Sequence, residues 1–334
     1  MNEQHLLEVK DLKKYFPVKS GHLGGKPGVL RAVDGISFTL DRGETLGIVG
    51  ESGCGKSTLG NTIIRLLDPT DGQIVFEGED LAKMSRKELD KHRADIQMIF
   101  QDPFSSLNPR MRVFDIIAEP LRTHHVFKEK RELNAAVMSL MREVGLNESY
   151  ANRYPHEFSG GQRQRIGIAR ALALHPKLII CDEPVSALDV SIQAQILNLL
   201  YDLQKKFGLT YIFIAHGLPT VRHISSRVAV MYLGKMVELA GKHELFEHPM
   251  HPYTEGLFAA IPVPDPDIRD NGERIMHGDI PNALCPPSGC YFHPRCPYAT
   301  EECRTTAPQW REIRPEHFIA CHHPIMKEEK NDKA

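Results

Sequence analysis

The segment Gly50-Glu51-Ser52-Gly53-Cys54-Gly55-Lys56-Ser57-Thr58 follows the apolar run Thr45–Val49 and precedes a helical pattern. Strand, glycine-rich loop and helix, in that order, is the context a phosphate-binding loop needs. The glycines let backbone N–H groups turn inward around a chain of phosphates, and the helix start adds partial positive charge. Lys56 is expected to reach the outer phosphates, and the Ser57 hydroxyl to sit on Mg²⁺.

Around this loop the chain alternates between strand and helix. Strands are expected at Leu6 to Val9, Leu30 to Val33, Ile36 to Leu40, Thr45 to Val49 and Ile74 to Glu77. A Gly-rich connection, Ser20 to Pro27, reads as a surface loop. From Lys87 to Leu174 the pattern is mostly helical, with Ile96 to Phe100 as one embedded strand. Strands return at Leu178 to Cys181, Tyr211 to Ala215 and Val228 to Tyr232, with a helix from Gln193 to Phe207. Strands alternating with helices predict an α/β core with a largely parallel sheet. No internal repeat is present, so the chain carries one such core. After about Pro262, Pro, Cys, Arg and His rise and periodicity fades. That stretch reads as an irregular extension, apart from the nucleotide core and held by something other than a large apolar interior.

Acidic side chains at a strand's carboxyl end, beside a phosphate loop, suit metal-assisted chemistry. Asp182 is therefore expected to bind Mg²⁺, and Glu183 to act as general base on the attacking water. His216, after the strand Tyr211 to Ala215, reads as a sensor of the terminal phosphate. Gln101, after Ile96 to Phe100, is placed to reach Mg²⁺ and the water. Ser159-Gly160-Gly161-Gln162 opens another helix with a serine N-cap and two glycines, a second anion cradle. One ATP cannot easily use two cradles from one chain, so this one is expected to close on nucleotide held by another subunit.

This ordered set resembles the ATP-binding subunits of ABC transporters over roughly residues 5 to 245. The resemblance implies a P-loop NTPase (RecA-like) ATPase core with a helical subdomain near 102–174. It makes Gln101 the Q-loop, Ser159 to Gln162 the signature, Asp189 the end of the D-loop Ser186-Ala187-Leu188-Asp189, and His216 the H-loop. Tyr15 becomes the aromatic that stacks on adenine, with Phe16 as its rival. Gln101-Asp102-Pro103-Phe104-Ser105-Ser106-Leu107-Asn108-Pro109-Arg110, His251-Pro252-Tyr253-Thr254, Gly278-Asp279-Ile280-Pro281 and Gly289-Cys290-Tyr291-Phe292-His293-Pro294-Arg295-Cys296 narrow it to the dipeptide/oligopeptide permease ATPases. Domains at 1–262 and 263–334 follow.

The implied partners are a second, homologous ATPase subunit in a head-to-tail dimer, two transmembrane permease subunits and, indirectly, an extracytoplasmic binding protein, with no nucleic acid. The implied location is peripheral, on the cytoplasmic face of a bacterial membrane. The same cassette also serves importers of nickel and other small solutes, so cargo stays open. One departure is Gly217, where these relatives commonly carry Asp.

Seven cysteines are present, five of them in the last fifth of the chain. Cys290, Cys296, Cys303 and Cys321 are spaced C-x₅-C-x₆-C-x₁₇-C, unlike common ferredoxins or zinc fingers. Spacing alone leaves zinc, an iron–sulfur cluster and free thiols open, and His293, His317, His322 and His323 lie near enough to serve zinc. The family resemblance favours a structural [4Fe–4S] cluster on the four cysteines. Cys285, before two prolines, reads as a spare thiol, Cys54 as a small residue in a crowded loop, and Cys181 as a buried strand residue.

The bulk numbers agree with these readings. The 334 residues are 41% hydrophobic and 25% charged, ordinary for a globular protein. A formal charge of −2 offers no global field for nucleic acid or an acidic membrane. The longest apolar runs, Thr210 to Ala215 and Val228 to Leu233, are strand-sized. Met1 to His5 has neither a basic start nor an apolar segment, so export is not expected. A non-transport ATPase acting on DNA or ribosomes would be expected to carry a second cassette, a coiled-coil insertion or basic arms, and this sequence has none of them. A redox-sensing role for the cysteines stays open as a secondary one.

Overall fold

The computed structural model describes residues 5–18, 28–260 and 278–326. The Gly-rich connection and the expected boundary at 262/263 lie outside these residues. The strands are β1 (Leu7–Val18), β2 (Gly28–Leu40), β3 (Thr45–Val49), β4 (Asp71–Phe76), β5 (Glu79–Asp80), β6 (Ile96–Ile99), β7 (Leu178–Asp182), β8 (Thr210–Ile214), β9 (Arg227–Tyr232), β10 (Lys235–Gly241), β11 (Arg311–Arg314) and β12 (His317–Ile319). They form an antiparallel sheet in the order β2-β1-β4-β5 and a larger sheet in the order β11-β12-β10-β9-β3-β8-β7-β6. From β6 through β9 the larger sheet is parallel, as the strand–helix alternation requires.

Alternation along each parallel strand splits the interior into two cores, because successive side chains point to opposite faces. Ile179, Cys181, Tyr211, Phe213, Val228 and Val230 pack on one face with the helical segment. Leu178, Ile180, Ile212, Ile214, Ala229 and Met231 pack on the other with the antiparallel sheet and the helix Lys56–Ile63. Helices Pro103–Ser106, Val113–Thr123, Lys130–Glu143 and Gly160–Leu172 lie between β6 and β7 in the chain. The sheet thus carries the phosphate loop after β3, Asp182 and Glu183 at the end of β7, and His216 after β8 at one common edge.

Several expectations change. The first strand extends to Val18, and the two strands expected between Leu30 and Leu40 are one. The helix expected from Gln193 begins at Val190. Above all, the C-terminal extension is not apart from the nucleotide core. Its β12 pairs with β10, Glu238 opposite Ile319 and Leu239 opposite Phe318, and β11 adds a further strand. Main-chain pairing therefore ties it to the central sheet.

Candidate nucleotide site

The phosphate loop borders a cavity lined by Ser52, Gly53, Gly55, Lys56, Ser57 and Thr58, together with Gln101, Glu183 and His216. Gly55 sits at φ +105°, where a Cβ would lie 2.0 Å from the Ala32 carbonyl oxygen, so only glycine fits the turn into the helix. Lys56 is buried, and its Nζ donates to the carbonyls of Gly50 and Glu51 at 2.8 and 3.0 Å. Cys54 and Cys181 are buried and Cys285 is exposed, as their sequence contexts suggested.

Asp182 ends β7, and its Oδ1 accepts a hydrogen bond from the Ser57 hydroxyl at 2.8 Å. Burial pushes its carboxyl upward, while the Ser57 bond pulls the other way. A hydroxyl beside a desolvated carboxylate is a hard oxygen pair of the kind Mg²⁺ selects, so these residues fit that ion.

Glu183 follows at φ +47°, a strained backbone for a non-glycine residue. The strain places its buried carboxylate between two partners. Gln101 Nε2 donates to Oε2 at 2.6 Å, and His216 Nε2 lies 2.5 Å from Oε1. The three residues thus meet although β6, β7 and β8 bring them from separate parts of the chain. Gly217 is the N-cap of the helix Leu218–Ile224, which has no side-chain cap there and Pro219 in its first turn.

The remainder of the cavity separates the two aromatic candidates. Phe16, Leu30, Arg31, Ala32, Leu233, Gly234 and Ala283 form its wall. Tyr15 does not line it, because its hydroxyl donates to Asp34 at 2.5 Å. Ala283, from the extension, was missed, and no local motif marks it.

Ser159 caps the helix Gly160–Leu172 with an N-cap/Gln162 capping box and is exposed. Gly161 is pressed against the helix Val190–Phe207, where a Cβ would meet Ile192 Cγ2 at 2.5 Å. None of Ser159, Gly160, Gly161 and Gln162 lines the home cavity. Asp189 is the exposed N-cap of the helix Val190–Phe207.

In the extension, Cys290, Cys296, Cys303 and Cys321 line one small enclosure with His251, His293, His322 and His323. Burial raises the thiols of Cys290, Cys296 (to about 11) and Cys321 (to about 12). Among the described residues, no three His, Cys, Asp or Glu side chains are arranged to hold a metal ion. The four cysteines, none of them in a disulfide, nonetheless line that common space, and cysteine thiolates are the usual ligands of iron–sulfur and zinc centres. His317 is excluded from it, being buried against Glu238 Oε1 at 2.8 Å. The neighbouring imidazoles are engaged elsewhere, His293 with the Cys290 carbonyl and His323 with Thr300.

Among the described residues, no helix is long and apolar enough to cross a membrane. The chain matches the ABC transporter family over residues 33–186 and the family described as "Oligopeptide/dipeptide transporter, C-terminal region" over residues 237–303. It is 58% identical over 323 residues to the oligopeptide transport ATP-binding protein AppF of Bacillus subtilis, covering 96% of this chain and 98% of that one. It is 56% identical over 306 residues to the oligopeptide transport ATP-binding protein OppF of Salmonella typhimurium, covering 91% and 92%. Among solved structures, the dimeric post-hydrolysis state of the ATP-binding cassette MJ0796, bound to ADP and Pi, matches with a TM-score of 0.62 at 28% identity, covering 71% of this chain and 98% of that one. The cassette cbiO1 from Clostridium perfringens, part of the ABC transporter complex cbiONQ, matches with a TM-score of 0.63 at 29% identity, covering 73% and 92%. The chain belongs to the ABC transporter ATPases, in their oligopeptide/dipeptide branch.

Proposed function

We propose that this chain is the ATP-hydrolysing motor of an importer for di- and oligopeptides, peripheral on the cytoplasmic face of a bacterial membrane. The observation that carries the chemistry is Glu183, held between Gln101 and His216 in the cavity that the phosphate loop lines. Lys56 and the loop amides take the phosphate chain. Ser57, Asp182 and Gln101 would hold Mg²⁺, which when bound offsets charge on the phosphates. Glu183 accepts a proton as water attacks the terminal phosphorus; the bond to the bridging oxygen breaks, and ADP and phosphate leave. His216 and Gln101 orient the carboxylate and the water.

Nucleotide closure is assigned to a dimer. Ser159 to Gln162 lie outside the home cavity and expose a helix start, an arrangement suited to a partner's ATP. The MJ0796 cassette was solved as a dimer, which supports the same reading. The partner would be a homologous ATPase, and the pair would bind two permease subunits served by a binding protein. Peptide as cargo rests on the names of the relatives. Reconstituted vesicles should therefore hydrolyse ATP faster when a binding protein loaded with peptide is added. Stimulation by nickel or another small solute, and none by peptides, would move the motor to that cargo.

The four tail cysteines are assigned to a structural [4Fe–4S] cluster, supported by their shared enclosure and lack of disulfide partners. Binding would require thiolates, and burial raises the thiols of Cys290, Cys296 and Cys321, so assembly should release protons. Protein purified without air is expected to be brown, with about four iron atoms per chain. Stoichiometric zinc and no iron would give the site to zinc instead.

A further inference from the structure

The second residue of the phosphate loop is an acid, which is a liability where polyphosphate must bind. A like charge near the ligand opposes it unless a counter-charge is supplied. Glu51 finds that charge 244 residues away: Arg295 Nη1 and Nη2 donate to its Oε2 and Oε1 at 2.9 and 3.0 Å. The Arg295 side chain is 6% exposed, so salt and water screen the pair weakly. Its Nη1 also donates to the Tyr232 hydroxyl at 3.4 Å. The backbone of Glu51 is held from the same side, its N–H donating to the buried Tyr253 hydroxyl at 2.9 Å. Its carbonyl accepts from Lys56, so a shift of Glu51 would carry the lysine with it. The same extension supplies Ala283 to the cavity wall and a hydrogen bond from Tyr291 to Asp34 at 3.3 Å.

We infer that Arg295 is a positioning residue for nucleotide binding, acting through Glu51. It cancels the carboxylate's charge and holds Gly50–Ser52 in the shape that receives phosphates. This rests on the reading of the cavity as an ATP site. A bidentate arginine–carboxylate pair fixes direction as well as charge, which a single ammonium does less well.

The test is ATP binding by the full-length chain, followed with a fluorescent ATP analogue, together with KM and kcat in the assembled transporter. Arg295→Gln is expected to raise Kd and KM about tenfold, since it leaves a carboxylate only 21% exposed without its partner in the phosphate loop. The kcat at saturating ATP should stay within about twofold, the signature of lost uniform binding. Arg295→Lys should recover part of the affinity. Glu51→Gln removes the charge that Arg295 answers, so adding Arg295→Gln to it should change Kd by less than about twofold. That double variant also keeps the test open if Arg295→Gln alone folds poorly. Unchanged Kd in Arg295→Gln, or penalties that simply add in the double variant, would overturn the inference. Failure of the wild-type chain to bind ATP would instead refute the nucleotide site itself.

Discussion

Tyr15 and Phe16 are adjacent in β1 and take opposite roles. Phe16 lines the cavity, and the Tyr15 hydroxyl donates to Asp34 instead. The register of β1 against β2 shifts between Lys14 and Tyr15, so the simple alternation of faces cannot be extrapolated from the start of the strand. Phe16→Ala is expected to weaken ATP binding by about 1–3 kcal/mol, the usual worth of a base–aromatic stack. Tyr15→Phe should leave it nearly unchanged in the same titration. Asp34 gives a pH prediction. Burial alone would raise its carboxyl, but hydrogen bonds from Tyr15 and Lys235 outweigh it and hold it below the ordinary aspartate range. A group lowered on folding stabilises above its unfolded pKa near 4 and loses that contribution as pH falls toward its lower folded value. Asp34→Asn should therefore cost about 1 kcal/mol at neutral pH. In denaturant titrations its gap from wild type should narrow below about pH 4; a gap independent of pH would contradict the assignment.

Elements separate what was legible in the sequence from what was not. The phosphate loop, the Asp182–Glu183 strand end and the Ser159 cap are contiguous signals, each carrying its own strand or helix context. Their place on the sheet could be read before any contact was known, and the parallel sheet followed from the alternation around them. β11 and β12 could not be read this way. They are 4 and 3 residues long, and they exist because β10 supplies a distant edge to pair with. The Arg295–Glu51 pair was hidden for the same reason, since no local pattern announces a partner so far along the chain. The signature helix carries its own prediction. Ser159→Arg should block hydrolysis at the partner's phosphate loop while nucleotide binding at this chain's own Lys56 site survives. Site-specific nucleotide trapping in the dimer would read both; loss at the home site alone would mean the signature acts within its own chain.

At the scale of the molecule, the extension and the cassette form one sheet. Ile319 is fully buried in β12 and pairs with Glu238 of β10. Ile319→Ala is expected to cost about 2–3 kcal/mol, within the range for truncating a buried aliphatic. The loss should appear in the single unfolding transition of the whole chain, followed by calorimetry. A separate early transition, with the main one unmoved, would make the extension an independent unit. The same continuity lets Ala283 of the tail line the ATP cavity and Arg295 pair with Glu51 of the phosphate loop. The account as a whole rests on Glu183 as the base that Gln101 and His216 hold at that cavity. The most direct measurement is ATP turnover in the reconstituted transporter with Glu183→Gln in this chain and an intact partner subunit, alongside ATP affinity of the variant chain. The account predicts retained binding, with hydrolysis at the Lys56 site about 10²–10⁴-fold slower and the closed dimer accumulating. Hydrolysis at that site at the wild-type rate would contradict it.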